Sequence, residues 1–240
     1  MLFQITSRSN DKIKRLVALK DKKNRDKEGV FVAEGKKAMD MALMNNLLLE
    51  VYTLKKLSLP KEVSQYIINE SVLEKISSTV NPQGIVFVSK IPNYPLVEKD
   101  KLIYLDNLQD PGNVGTIIRT ALALDYDGVI LSKTCADPFN DKALSASKGA
   151  IYSLPIIRGE LDEFREDSFV IVSTLDKDSI SLEEAKIKKP FILVLGNEGN
   201  GVSEETLKKA DLKINIPMEK MESLNVAIAG AIMMYELNKK

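Results

Sequence analysis

Leu195-Gly196-Asn197-Glu198-Gly199-Asn200-Gly201 follows the apolar run Phe191 to Val194 and leads into a helical pattern, and its reading decides the fold. Two further stretches behave alike: Ile214-Asn215-Ile216-Pro217-Met218, and Glu222-Ser223-Leu224-Asn225-Val226-Ala227. Short β-branched runs that turn into helices predict backbone loops gathered at one end of a sheet, where α/β proteins bind ligands.

A glycine-rich turn first raises a nucleotide pyrophosphate, because glycines let backbone N–H groups approach phosphate at a helix N-terminus. This turn lacks the Lys-Ser/Thr ending of a P-loop and the Gly-x-Gly-x-x-Gly spacing after a first strand. The next helix is expected to start with Ser203 as N-cap, with Glu204 and Glu205 in its first turn. Carboxylates there already complement the helix dipole and would repel a polyanion. A neutral or centrally cationic ligand, read largely by backbone groups, fits better.

The chain has 240 residues, 44% hydrophobic and 28% charged, which suits an ordinary globular protein with one large core or two modest ones. The start, Met1-Leu2-Phe3-Gln4-Ile5-Thr6-Ser7-Arg8, has no basic-then-apolar signal, and no run approaches a membrane span, so a cytoplasmic location without membrane attachment is expected. One cysteine, Cys135, excludes an internal disulfide framework, and zero histidines remove the usual general base and commonest transition-metal ligand. No metal is expected.

Formal net charge is zero but uneven. Residues 1–27 hold nine Lys/Arg against three Asp, a net +6. On a helix expected from about Asn10 to Asn24, Ile13, Leu16 and Val17 share one face while Lys12, Arg15 and Lys22 share another, with Lys23 and Arg25 extending the run. The ordinary reading is a solvated surface helix; the sharper one is a stripe suited to a phosphate backbone.

The pattern predicts a first α/β unit over residues 1–95, with strands at 30–33, 48–54 and 84–89. Its helices would follow Gly35 and lie near 61–67 and 71–77. Residues 91–100 carry two prolines and then charges, marking a linker. A second domain over 101–240 alternates strands at 102–106, 128–132, 153–157, 169–174, 191–195 and 212–216 with helices near 114–124, 141–149, 160–166, 181–186, 203–210 and 223–238. That alternation implies an α/β fold with a mostly parallel sheet and helices on both faces. The last helix is apolar on nearly all sides and too short to span a bilayer, so burial is expected, with a subunit interface as one cover.

The first turn of this domain reads Asp110-Pro111-Gly112-Asn113-Val114-Gly115, followed by Arg119-Thr120-Ala121. Taken alone, Asp-Pro-Gly-Asn is good turn chemistry, Asn113 is a natural N-cap, and Arg119 is a surface arginine.

With Asp110 to Ala121, Leu195 to Gly201, and Ile216-Pro217-Met218 through Ser223-Leu224-Asn225-Val226 in this order, the chain resembles the SpoU branch of the SPOUT superfamily, RNA ribose methyltransferases dependent on S-adenosylmethionine. Ser147-Lys148-Gly149-Ala150 with Leu154-Pro155 is similar to the family's middle segment. Thr6-Ser7, Asn10, Ile13-Lys14, Val30 to Gly35 and Asn81-Pro82-Gln83-Gly84-Ile85 resemble the small ribosomal-protein-like substrate-binding domain of ribosomal-RNA members.

The resemblance implies a C-terminal trefoil knot, a homodimer, and methylation of a ribose 2′-hydroxyl, with 23S ribosomal RNA preferred as partner. It assigns Arg119, Asn113, Glu198, Ser223 and Asn225 to catalysis, and Thr174, Leu175, Gly196, Asn197, Ile216, Pro217, Met218 and Leu224 to the cofactor. Lys12, Arg15, Lys22, Lys23 and Arg25 would face RNA. A sulfonium without phosphate agrees with the turn chemistry above. A guanidinium gives up its proton less readily than any other cationic side chain, which favours a phosphate clamp for Arg119 over a literal base. Taken one at a time, Glu198 has a backbone-capping reading, Ser223 an N-cap reading, and Asn225 a turn-bonding reading. The alternatives are a transfer-RNA methyltransferase or a noncatalytic RNA-binding protein. A Rossmann oxidoreductase lacks its fingerprint here.

Overall fold

The computed structural model describes residues 2–79 and 81–240. By its internal contacts the chain divides into two compact units, Met1–Pro92 with Phe139–Ser153, and Asn93–Pro138 with Leu154–Lys240.

In the first unit, β1 (Leu2–Ile5) precedes α1 (Asp11–Ala18) and α2 (Lys22–Glu28). The single helix expected over 10–24 is thus two. Asn10 caps α1 by accepting from Lys12 N, and Asp21 restarts the chain by accepting from Lys23 N. Gly29, left-handed at φ 66°, ends α2. Then come β2 (Val30–Glu34), α3 (Lys36–Met44), β3 (Leu48–Thr53), β4 (Ser64–Ile68), α4 (Glu70–Ile76) and β5 (Ile85–Lys90). The sheet order is β1-β4-β3-β5-β2, with β1, β4 and β3 parallel and β5 antiparallel to both β3 and β2.

The helix expected at 61–67 is instead β4. Gln65, Tyr66 and Ile68 are all buried there, because an interior strand is covered on both faces and shows no clean alternation. Ile13, Leu16, Tyr52, Tyr66, Val72 and Ile76 share the core beneath α1 and α4.

The second unit begins with β6 (Lys101–Leu105), α5 (Pro111–Ala123) and β7 (Gly128–Leu131). Next in the chain is α6 (Asp141–Ser147), which groups with the first unit. After it come β8 (Ile156–Arg158), β9 (Phe169–Ser173), β10 (Ile180–Ser181), β11 (Phe191–Leu195), α7 (Glu204–Leu207), β12 (Leu212–Asn215) and α8 (Val226–Leu237).

All seven strands run parallel in the order β10-β12-β9-β11-β6-β7-β8. The central β11 is buried along its whole length, as a strand covered on both faces must be. Where a helix was expected at 181–186, β10 is followed by a turn whose carbonyls at Leu182, Glu183 and Ala185 all accept from Lys240 Nζ. Residues 161–163 form a 3-10 turn in place of the helix expected at 160–166.

α8 packs against α5 and β11 and buries Ala227, Gly230, Met233, Met234 and Leu237, and a Cβ on Gly230 would lie 2.7 Å from Leu195 Cδ1. Its other face, Ile228, Ile232 and Tyr235, is exposed in the single chain. No helix among the described residues is long and apolar enough to cross a membrane.

Residues 139–153 complete the first unit. Phe139 and Tyr152 lie 5.0 and 5.8 Å, ring to ring, from Phe31, and Tyr152 lies 6.5 Å from Phe87. Gly149, at φ 92°, brings the chain so close to α3 that a Cβ would meet Met41 Sδ at 2.6 Å.

Candidate active site

β12, β9, β11 and β6 are neighbours in the parallel sheet, so their C-terminal ends release the loops at 216, 174, 196 and 106 side by side. A parallel sheet delivers its ligand-binding loops at this edge.

The loop after β6 feeds α5. Pro111 occupies the first helical turn and Asp110, not Asn113, is the N-cap, its Oδ1 accepting from Asn113 N at 3.0 Å. That leaves the Asn113 side chain free to point outward from the first turn. Its Nδ2 donates to Glu198 Oε1 at 2.8 Å, and its Oδ1 accepts from Asn225 Nδ2 at 3.0 Å. Asn225 is in turn the N-cap of α8, its Oδ1 accepting from Ala227 N and Ile228 N. One side chain therefore ties the three sequence blocks together, and Asn225 divides its amide between helix and site.

Glu198 sits in a turn closed on itself. Asn197 and Gly201 exchange backbone hydrogen bonds, and Asn197 Oδ1 accepts from Gly199 N and Asn200 N. Gly196 must be glycine, since a Cβ would run into Val202 N and the Gly201 carbonyl carbon. The turn is anchored at both ends to the β6 loop. Asn197 Nδ2 donates to Asn107 O at 2.8 Å, and Ser203 N donates to Asp106 Oδ2 at 2.8 Å, while Asp106 Oδ1 accepts from Asn107 Nδ2. Asp106 is buried and Asn107 adopts φ 58°. From sequence, Asp106 and Asn107 read as a strand-end pair that shapes the loop without touching substrate; a carboxylate following the buried run Leu102 to Leu105 must find partners, and here they are Ser203 N and Asn107 Nδ2.

Ser203 caps α7 as expected, with Glu204 and Glu205 in the first turn. Ser223 is exposed and does not cap α8; no hydrogen bond ties it to the cluster among the described residues. Arg119 is exposed on α5, its guanidinium without a hydrogen bond or ion pair among the described residues.

Of the residues assigned to the cofactor, Thr174 N donates to Ile214 O, and Thr174 Oγ1 accepts from Asp176 N. Leu175 is 61% exposed and Leu224 39%. Ile216, Met218 and Pro217 continue β12 into its loop, Pro217 exposed and the other two partly buried. The loop after β9 is braced by Lys213, which pairs with Asp178 at 2.8 Å and Asp176 at 3.2 Å, and by Asn215 Nδ2 donating to Ser179 Oγ. Hydrogen bonding to Lys213 holds Asp178 below the usual carboxylate range, and the same carboxylates raise Lys213 above an ordinary lysine. Exposed leucines beside free loop backbone suit a largely uncharged adenosyl group, so these residues fit S-adenosylmethionine.

The five cations assigned to RNA fall into two groups. Lys22 and Lys23 are exposed, Lys22 paired with Asp26, and Lys12 lies 4.8 Å from the Tyr66 ring. Arg15 is held by Glu28 and Glu50 at 2.7 and 3.0 Å. Arg25 is 5% exposed and donates to Leu19 O and Lys20 O, which locks the α1–α2 junction.

Residues 100–235 match the SpoU rRNA Methylase family, and residues 10–86 match the MRM3-like substrate binding domain. The chain is 34% identical to the 23S rRNA (guanosine(2553)-2′-O)-methyltransferase RlmP of Bacillus subtilis, over 98% of each chain. It superposes on an AdoMet-bound rRNA methyltransferase from Sinorhizobium meliloti with a TM-score of 0.89 at 31% identity, covering 99% of this chain and 98% of the other. An RNA 2′-O ribose methyltransferase superposes at 0.83 and 25% identity, over 98% of each chain.

Proposed function

This chain belongs to the SpoU rRNA methylase family, and from that premise we propose that it methylates a ribose 2′-hydroxyl of 23S ribosomal RNA, using S-adenosylmethionine. The observation that carries the reading is Asn113 bonded at once to Glu198 and Asn225.

When bound, S-adenosylmethionine supplies a methyl carbon on a positively charged sulfur, and the electron pair of the broken bond stays on a neutral thioether. Thr174, Leu175, Gly196, Asn197, Ile216, Pro217, Met218 and Leu224 would hold it. The chain's task is then to place the ribose oxygen in line, since positioning alone supplies much of the acceleration.

Asn113 fixes the carboxylate of Glu198 through one oxygen, leaving the other to accept from the 2′-hydroxyl and take its proton. Arg119 clamps the target's phosphate with its guanidinium and stabilises the developing alkoxide. Ser223 completes the mouth of the site as a second hydroxyl donor. Lys12, Lys22 and Lys23 serve RNA as phosphate contacts, whereas Arg15 and Arg25 serve it only by shaping the helices that carry those lysines.

A second copy of the chain is the proposed cover for Ile228, Ile232 and Tyr235, which stand at i, i+4 and i+7 on α8. Light scattering of the wild type and of Ile232→Glu tests it, with a dimer expected to become a monomer.

Purified protein given tritiated-methyl S-adenosylmethionine and unmodified 23S, 16S or transfer RNA should label a ribose 2′-oxygen in 23S RNA, and Arg119→Ala should abolish the label. Label in transfer RNA alone would replace the substrate. No transfer to any RNA or assembled subunit, together with no measurable cofactor binding, would move the reading to a noncatalytic RNA-binding protein.

A further inference from the structure

Three aromatic rings form a ladder across the first unit's sheet, carried by strands in register. Phe3 of β1 pairs with Tyr66 of β4, and Tyr66 pairs with Tyr52 of β3. Tyr52 and Tyr66 stack at 4.7 Å with planes 16° apart, and Tyr66 and Phe3 stack at 5.2 Å and 18°. Exposure rises along the ladder: Tyr52 is 0% exposed, Tyr66 5% and Phe3 44%. Two rings are core, and the third ends the stack with one face open to water.

β1 is the edge strand of the sheet, and an exposed aromatic there is ordinarily a liability that proteins blunt. Leu2, at 51% exposure, adds to it. A cation stands beside the ladder as well. Lys12, 44% exposed, holds its ammonium 4.8 Å from the Tyr66 centroid, and its nearest carboxylate oxygen, on Glu50 at 4.0 Å, already accepts from Tyr52. Arg8, in the turn between β1 and α1, is exposed and makes no hydrogen bond or ion pair among the described residues. The segment 1–27 that holds this turn carries +6.

We propose that the open face of Phe3 is a stacking platform for an unpaired base of the RNA substrate, with Lys12 and Arg8 taking the flanking phosphates. Every base has a π-face, so the contact tolerates sequence. It selects for single strand, because bases inside an A-form helix are already stacked on one another. The charge of the segment favours a polyanion over an apolar protein partner as occupant. The inference rests on the RNA-methyltransferase reading for its ligand, yet it concerns residues remote in sequence from the transfer chemistry.

The experiment measures fluorescence anisotropy of the full-length protein with a fluorescein-labelled oligoadenylate and with the same strand annealed to its complement, beside KM for 23S RNA. Phe3→Leu keeps the apolar packing and removes the ring; Phe3→Trp enlarges it. Phe3→Leu should weaken oligoadenylate binding about tenfold and raise KM for RNA, with duplex binding and cofactor affinity unchanged. Phe3→Trp should bind within about twofold of wild type. Phe3→Ala serves as a second truncation, with its melting curve as fold control. Wild-type affinity in Phe3→Leu overturns the proposal, as does an effect on self-association with no effect on RNA. Normal methylation with an unchanged KM in Phe3→Leu would defeat this proposal and leave the enzymatic reading standing. A protein that binds oligoadenylate through Phe3 but methylates nothing would do the reverse.

Discussion

Asn225 Nδ2 donates to Asn113 Oδ1 at 3.0 Å, joining residues 112 positions apart, while the same Asn225 caps α8 through its oxygen. The final helix and the site are thus held by two halves of one amide.

Those halves separate by mutation. Asn225→Asp keeps an oxygen for the cap and loses the donor to Asn113, so methyl transfer should fall at least tenfold with little change in melting temperature. Asn225→Ala loses both, and should cost about 1 kcal/mol of stability in addition. Single-turnover rates beside thermal melts read the difference; equal melts and equal rates in both variants would refute the division.

Gly196→Ala puts a methyl group into the backbone of Gly201 and Val202. Overpacking of this kind costs about 1–3 kcal/mol, and the displaced turn carries Glu198. Calorimetric titration should show cofactor binding weakened at least tenfold.

Arg25→Ala removes a buried guanidinium that bonds two carbonyls, each charge-assisted hydrogen bond being worth about 1.5–3 kcal/mol. The first unit should lose several degrees of melting temperature. Lys23→Ala, exposed beside it, should weaken RNA binding without moving the melt.

The brace of the β9 loop sets a pH window. Asp178 is depressed by its bond to Lys213, so its contribution is present above the ordinary aspartate value and is lost as pH falls through the lower, folded one. Lys213 is raised, so its contribution is present below the ordinary lysine value and is lost as pH rises through the higher, folded one. Cofactor affinity should therefore be flat from about pH 5 to 9 as far as this brace is concerned. Lys213→Met should lower affinity throughout that window, and an acid-side dependence of affinity should disappear with it.

The parallel sheet was legible because its strands are apolar runs separated by Gly, Pro and Asn turns, and the three blocks of the site sit at those turns. What sequence hid was local. β1 exposes two of its four residues as large apolar groups, which removes the inward signal a strand normally gives. β4 buries Gln65 among its apolar residues and so broke the period. Asp21 reads equally as a mid-helix charge and as a cap, and the cap wins because its carboxylate satisfies Lys23 N. Within the site, the motifs brought Asn113, Glu198 and Asn225 together on paper and hydrogen bonds join them. Asp106 was legible as a strand-end residue that shapes its loop, but its partner was not, because Ser203 N lies 97 residues away.

The stretch 139–153 is encoded between β7 and β8, yet its rings finish the core around Phe31 and Phe87. The first unit is consequently not a separable cassette. A chimera that grafts another N-terminal half onto this chain at residue 93 would inherit a Phe139 and Tyr152 shaped for a missing neighbour, so recombination among relatives must carry both pieces together or neither.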